Sequence, residues 1–236
     1  MTYRRVALVP CVAALVVACG RDPAPPPSTA ASSATPTTSA APASAGGHGL
    51  ATPGARAEVG KAAPDFALVD LDGKTVKLAD HKGKTIVLEW FNPECPFVNR
   101  AHGKGSLVDA AKRATQAGVV WLAINSAAPG RHGHGAAVNV TGKQKFGLAH
   151  PILLDESGEV GRAYGATNTP HMFVIDDKGV LVYRGAIDNS PDGEGESAEG
   201  GKLVRYVDVA LEELRAGKPV SVKETKAYGC SVKYAK

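Results

Sequence analysis

Short apolar runs separated by turn residues fill the chain from residue 67 onward. Residues 119–125 form a continuous apolar run and residues 85–91 begin with one, as expected for strands covered on both faces. Residues 67–76 and 172–184 are each interrupted by a turn containing Asp and Gly, which predicts two hairpins. Residues 202–216 carry their apolar side chains at helical spacing, which predicts a helix.

Three more helices are expected among these runs. Residues 96–117 predict a helix that Gly103 and Gly105 break or kink early. Shorter helices are predicted around residues 136–146 and 161–165, on either side of a strand at residues 151–155. This order resembles a thioredoxin-like α/β fold, with a central mixed β-sheet flanked by helices and an N-terminal hairpin extension.

The N-terminal segment has the features of an export signal. Arg4 and Arg5 precede an apolar stretch, residues 6–17, which is too short to cross a bilayer. Residues 16–19, Val-Val-Ala-Cys, resemble a bacterial lipobox. We therefore expect residues 1–18 to be a lipoprotein signal peptide and Cys19 to carry lipid. An ordinary secretory signal is the alternative, and either one takes the protein out of the cytoplasm.

Composition separates a tether from a folded domain. Residues 19–57 are rich in Pro, Ala, Ser and Thr and have almost nothing apolar to bury, which predicts a disordered tether. Residues 58–236 are expected to form one domain ending in a Cys-containing tail. The expected location is the cell envelope, lipid-anchored and extracytoplasmic. Gly20 in place of Asp favours the outer membrane, if one is present.

The net charge of +4 is modest, from 27 Lys and Arg against 23 Asp and Glu. The basic residues are scattered, with no basic stripe interleaved with aromatics, so nucleic acid is not an expected partner. No cofactor is expected.

Cys95 follows the strand at residues 85–91 and immediately precedes Pro96. Proline favours the first helical position, so Cys95 is predicted to be a helix N-cap. Unpaired N–H groups and the helix dipole stabilise a thiolate there, and the thiolate is the reactive form. A buried structural cysteine is the alternative.

Several segments in order are similar to peroxiredoxin-like redoxins of the alkyl hydroperoxide reductase/thiol-specific antioxidant group. They are residues 95–98, 123–126, 164–166, 169–176 and 228–234. The resemblance implies a thiol-dependent oxidoreductase in which Pro170 is cis and lies against Cys95. It also places Thr169, His171, Asn92, Glu94 and Pro96 around the thiol. The role of Glu94 is left open: it takes a proton, raises the thiol pKa by like charge, or is solvated.

The sequence departs from both common motifs of the superfamily. Asn92 stands where thioredoxins have the first cysteine of Cys-x-x-Cys, so this loop alone has no dithiol. Leu88, Asn92 and Pro170 replace the proline, threonine and arginine of typical peroxiredoxins. Peroxide reduction and disulfide exchange both remain open.

Cys230 is the other thiol expected in the mature domain, because cleavage removes Cys11 and lipid consumes Cys19. It is therefore predicted to resolve the intermediate on Cys95, either from a tail folded over the active loop or after a movement that follows oxidation. The alternative is a free cysteine at a frayed terminus. The expected partners are a peroxide or protein disulfide substrate and a thiol/disulfide electron donor.

Two other classes of function remain. A redox-inert thioredoxin-like binding or scaffold module is one. A copper-handling chaperone is the other, since His132 and His134 lie in a Gly-rich loop, although copper chaperones of this fold pair two cysteines with a histidine. Solvated loop histidines and no metal site are the expectation.

Overall fold

The structure is a computed structural model that describes residues 50–51 and 54–236. The predicted signal peptide, Cys19 and most of the predicted tether lie outside these residues. The strands are β1 (Leu50–Ala51), β2 (Phe66–Asp70), β3 (Thr75–Lys77), β4 (Ile86–Trp90), β5 (Val120–Asn125), β6 (Ile152–Leu154), β7 (Asn168–Thr169), β8 (His171–Ile175), β9 (Leu181–Gly185) and β10 (Cys230–Ser231). The helices are α1 (Pro96–Gly103), α2 (Ala110–Gln116), α3 (Ala136–Lys145), α4 (Glu159–Tyr164) and α5 (Tyr206–Arg215).

The main sheet has the order β1-β2-β6-β5-β4-β8-β9, with β3 paired to β2. Strands β4, β5 and β6 are parallel, while β2, β8 and β9 pair antiparallel to their neighbours. The predicted mixed sheet and both predicted hairpins are therefore confirmed. The N-terminal hairpin β2–β3 joins the sheet through β6. A separate two-stranded sheet pairs β7 with β10.

Alternation along β4 divides the core between the two faces of the sheet. Leu88 and Trp90 pack on one side with Phe173 and Tyr164. Val87 packs on the other side, among residues of α2, β5, β8 and α5. All five residues of β4 are buried, which agrees with a central strand covered on both faces.

The helix predicted over residues 96–117 is two helices, because the chain turns away between Gly103 and Ala110. A Cβ on Gly105 would overlap the backbone of Gly193, so this close approach requires a glycine. Asp109 then has a positive φ of 53° where α2 begins. The break leaves α1 as a short helix that starts at the Cys95 loop.

Two predicted boundaries are corrected. Leu50–Ala51 and Ala57, assigned to the tether, join the domain: β1 pairs with β2, and Ala57 is buried with its N–H bonded to Ala163. The last helix begins at Tyr206 rather than at residue 202, because Arg205 is extended and bridges to Asp188. No helix in the described ranges is long and apolar enough to cross a membrane.

Candidate active site

Cys95 lies where the loop after β4 enters α1. It is the N-cap of α1, with extended backbone angles (φ −74°, ψ 123°) and Pro96 at the first helical position. This confirms the N-cap prediction. Only 1% of the residue is exposed. The nucleophile candidate is therefore covered by protein in this structure.

Asn92 holds the loop before Cys95 in place. Its Oδ1 accepts from the Glu94 N–H at 3.0 Å and its Nδ2 donates to the His132 carbonyl at 3.0 Å. Its own carbonyl accepts from the Cys95 N–H at 3.0 Å. A Cβ on Gly133, where φ is +85°, would overlap the Asn92 side chain. The residue in place of the usual first cysteine thus fastens the loop to the segment around His132.

Asn99 is a loop contact that the sequence reasoning missed. Its Nδ2 donates to the Pro93 carbonyl at 2.7 Å and to the Cys95 carbonyl at 2.9 Å, and its Oδ1 accepts from Lys145. Asn99 is four residues after Cys95, so the two lie on the same helix face. That spacing was the available signal.

The segment before β8 supplies the other wall of the site. The Thr169–Pro170 peptide bond is cis, as the resemblance implied. The Cys95 thiol donates to the Thr169 carbonyl, with Sγ and O 3.1 Å apart. Thr169 is 3% exposed, and its Oγ1 has no hydrogen-bond partner. The sulfur is thus held against the turn that contains Pro170.

Cys230 packs against this same segment, because its strand β10 pairs with β7. In the antiparallel pair of β10 and β7, Cys230 is opposite Thr169 and Ser231 is opposite Asn168. Cys230 is half-buried, packs in one cluster with Cys95, and neither cysteine is in a disulfide. The tail is folded over the active loop while both thiols are free, which was one of the two expected arrangements.

The pKa values of the two thiols move in opposite directions. Burial raises the pKa of Cys95, but the side chains of Cys230 and Thr169, together with backbone groups of Val98 and Cys230, outweigh it and leave the pKa below its ordinary value. Burial, followed by the effect of Cys95, raises the pKa of Cys230 to about 11. Cys95 therefore ionises first, while Cys230 keeps its proton.

Glu94 and His171, which were predicted to lie around the thiol, make their contacts with other residues. Glu94 is exposed and pairs with His132, with Oε2 and Nε2 3.4 Å apart, which agrees with a solvated carboxylate. His171 is buried; its Nδ1 accepts from the Thr167 N–H at 3.3 Å, and its ring centroid is 4.6 Å from that of Phe173. Burial lowers the pKa of His171 to about 4, so this imidazole is neutral at neutral pH.

Glu89 and His102 form a buried hydrogen-bonded pair beneath the loop, on the α1 side of the sheet. Glu89 Oε1 is 2.7 Å from His102 Nε2, and Trp121 Nε1 donates to Glu89 Oε2 at 3.0 Å. Burial raises the pKa of Glu89, but His102, His150 and Trp121 outweigh it, so the pKa lies below its ordinary value.

His102, Trp121 and His150 also line a groove of about 800 Å³, whose lining does not include Cys95. Within the described residues, no group of three or more His, Cys, Asp or Glu side chains is placed to hold a metal ion. This groove is therefore separate from the Cys95 loop.

Comparison with known proteins identifies the family of the chain. The redoxin family profile matches residues 58–201. The thiol-disulfide oxidoreductase ResA of Bacillus thuringiensis subsp. konkukian is 31% identical over 132 residues, which are 53% of this chain and 68% of that protein. Thioredoxin peroxidase of Echinococcus granulosus is 34% identical over 136 residues, 53% of this chain and 69% of that protein.

A solved structure shares the fold over most of the chain. It is an uncharacterized conserved protein from Geobacillus kaustophilus, with a TM-score of 0.65 at 31% identity, covering 79% of this chain and 96% of that one. The fold and these relatives define a thiol-dependent oxidoreductase of the thioredoxin-like class. The chain belongs to the redoxin family, and its relatives make it a thiol-disulfide oxidoreductase of the redoxin type.

Proposed function

We propose that this redoxin is a lipid-anchored, extracytoplasmic thiol-disulfide oxidoreductase in which Cys95 is the nucleophile and Cys230 the resolving thiol. The observation that carries the proposal is the position of Cys230, which lies opposite Thr169 in the β10–β7 pair and packs in one cluster with Cys95. Asn92 and Asn99 position the loop, while Pro170 and Thr169 form the facing wall.

The proposed reaction begins with the Cys95 thiolate, which attacks one sulfur of a substrate disulfide. A Cys95–substrate bond forms as the substrate S–S bond breaks, and the released sulfur takes a proton. Cys230 then loses its proton and attacks the Cys95 sulfur, which releases the second substrate thiol. Two electrons have passed to the substrate, and a dithiol donor reduces the Cys95–Cys230 disulfide.

A hydroperoxide is the second candidate substrate, and the likeness to a thioredoxin peroxidase favours it. In that reaction the Cys95 thiolate takes one oxygen to become a sulfenic acid, and an alcohol or water leaves. Cys230 then forms the same disulfide with release of water.

The test of the proposal is the rate of iodoacetamide alkylation against pH. Cys95 is expected to alkylate with a midpoint below the value of about 8.5 of a free thiol, and Cys230→Ala should move that midpoint upward because it removes a lowering interaction. Mild oxidation should give a linked Cys95–Cys230 peptide in a digest. An ordinary midpoint at Cys95 with no linked peptide would leave a redox-inert module.

We also propose the domain plan of a signal peptide (residues 1–18), a tether that ends before Leu50, and the redoxin domain. Cys19→Ser is expected to move the protein from the membrane fraction to the soluble fraction, because several acyl chains anchor firmly whereas none do in the variant. The measurement is fractionation followed by an immunoblot. Cys11→Ser is the matched control and should stay with the membrane. A Cys19→Ser protein that still sediments with membranes would contradict the anchor.

A further inference from the structure

The C-terminal strap, defined as residues 228–234, crosses the Cys95 loop and is fastened at both ends. At its first end the Tyr228 hydroxyl donates to Asp188 Oδ1 at 2.7 Å, and its ring centroid is 6.2 Å from that of Phe97. Asp188 is 1% exposed and also accepts from the Ser106 hydroxyl and the Ser190 N–H. This end of the strap is therefore tied to a buried carboxylate.

At the other end, Tyr234 fills a recess beside α4. Its hydroxyl donates to the Ala166 carbonyl at 2.8 Å, and the Arg162 guanidinium lies 4.7 Å from its ring centroid. A Cβ on Gly158 would come within 2.6 Å of a ring carbon of Tyr234, and a Cβ on Gly161 would come within 2.8 Å of another. Two glycines thus leave the space that the ring occupies.

Between the two tyrosines the strap follows the segment that carries Pro170. Asn168 Nδ2 donates to the Gly229 carbonyl at 3.0 Å, and the Val232 N–H donates to the Thr167 carbonyl at 3.0 Å. Gly229 has a φ of +103°, and a Cβ there would overlap the Thr169 carbonyl. The strap therefore covers the acceptor of the Cys95 thiol and leaves Cys95 only 1% exposed.

We infer that the strap is a specificity-determining element that admits low-molecular-weight oxidants to Cys95 and holds back disulfides on folded proteins. The inference rests on the proposed role of Cys95. Cys95 is 1% exposed, so every oxidant needs an opening, but a small disulfide or a hydroperoxide needs only a local one that leaves both ends of the strap in place. Cys230 is already placed for the second step. A disulfide on a folded protein brings its own backbone to the surface that the strap occupies, so the strap must first leave.

Electrons and atoms balance in the same way for either small oxidant. Two thiols lose two protons and two electrons and become the Cys95–Cys230 disulfide. The oxidant gains the two protons and the two electrons. A small disulfide becomes two thiols, and a hydroperoxide becomes an alcohol and water.

The experiment compares reagents of two sizes on proteins that carry Cys230→Ser, so that Cys95 is the thiol of the domain that reacts. The small reagent is iodoacetamide, and the large reagent is a maleimide bearing a long polyethylene glycol chain. Tyr234→Ala removes one anchor, and Gly229→Ala lifts the strap from Thr169. Lys236→Ala, an exposed change just beyond the strap, is the matched control.

Both strap variants are expected to react with the large reagent about tenfold faster or more, because the open fraction sets that rate. The iodoacetamide rate should change by less than about threefold, since the small reagent needs only a local opening and not release of the strap. With Cys230 restored, the strap variants should gain activity on a disulfide-bonded protein relative to hydroxyethyl disulfide and hydrogen peroxide.

The inference would be overturned if the strap variants reacted faster with both reagents by the same factor, or if they reacted faster with neither reagent. Wild-type turnover of the protein disulfide as fast as that of hydroxyethyl disulfide would also overturn it. An ordinary alkylation midpoint at Cys95 would contradict the proposed function and not the role of the strap. The ratio of the maleimide rate to the iodoacetamide rate would still report whether the strap excludes large reagents. Thermal unfolding of each variant checks that the domain remains folded.

Discussion

Cys95→Ser protein is expected to lose turnover by at least about a thousandfold, with a small disulfide and with a hydroperoxide alike, because no other group at the site replaces the attacking thiolate. Cys230→Ser protein should behave differently. It should consume about one equivalent of oxidant at a near-normal rate and then stop, since the second step lacks its thiol. The measurement is a rapid-mixing burst followed by steady-state turnover.

The two variants control each other, because each keeps one cysteine of the pair. Mass spectrometry should find a mixed disulfide or a trapped sulfenic acid on Cys95 in the Cys230→Ser protein, and no such adduct on Cys230 in the Cys95→Ser protein. If the Cys95→Ser protein showed the burst instead, the roles of the two thiols would be reversed. Sustained turnover by the Cys230→Ser protein would mean that an external thiol resolves the intermediate.

His102→Ala is expected to lower the free energy of unfolding by about 3 kcal/mol, because it leaves a buried charge without its partner. Glu89 is fully buried, and His102 and Trp121 are its hydrogen-bond partners. Without His102, one carboxylate oxygen stays buried without that hydrogen bond. Urea unfolding followed by tryptophan fluorescence measures the change.

Lys104→Ala is the matched control, because Lys104 pairs with Glu194 at 2.7 Å with its own side chain 59% exposed. Its effect on the free energy of unfolding should be far smaller, since solvent screens an exposed ion pair. The pKa of Glu89 is depressed, so the stability from its charged form is present above about pH 4.3 and is lost at lower pH. The deficit of His102→Ala should therefore shrink in acid. A deficit equal to that of Lys104→Ala would show that the buried pair contributes little.

The predictable parts of the fold are those fixed by neighbours in sequence. The run at residues 119–125 forms β5, and the turn at Asp72-Gly73 joins β2 to β3, because alternation and turn chemistry act over a few residues. The break after Gly103 was also visible in the sequence. Its extent was not, because it depends on Gly193, which is far along the chain.

The candidate site also has parts that nearby sequence predicts and parts that depend on distant segments. The N-cap position of Cys95 follows from one strand and one proline. The contacts of Asn99 were not predicted, although its i, i+4 spacing from Cys95 places both residues on one helix face. The docking of the strap was beyond local pattern, because Tyr228 meets Asp188 and Tyr234 meets Arg162 through contacts between distant segments. The loop that begins at Asp188 has the acidic composition of a flexible, solvated segment, although Asp188 itself is buried.

The strap also brings together two thiols that lie far apart in the chain, the proposed catalytic pair. Cys95 precedes Cys230 by more than half of the chain. A ribosome therefore adds the partner thiol only after it has made the segments that form β2 to β9 and α1 to α5. A chain that ends before residue 230 would lack the partner thiol that we propose for Cys95, together with the β10–β7 pairing that places it beside Thr169.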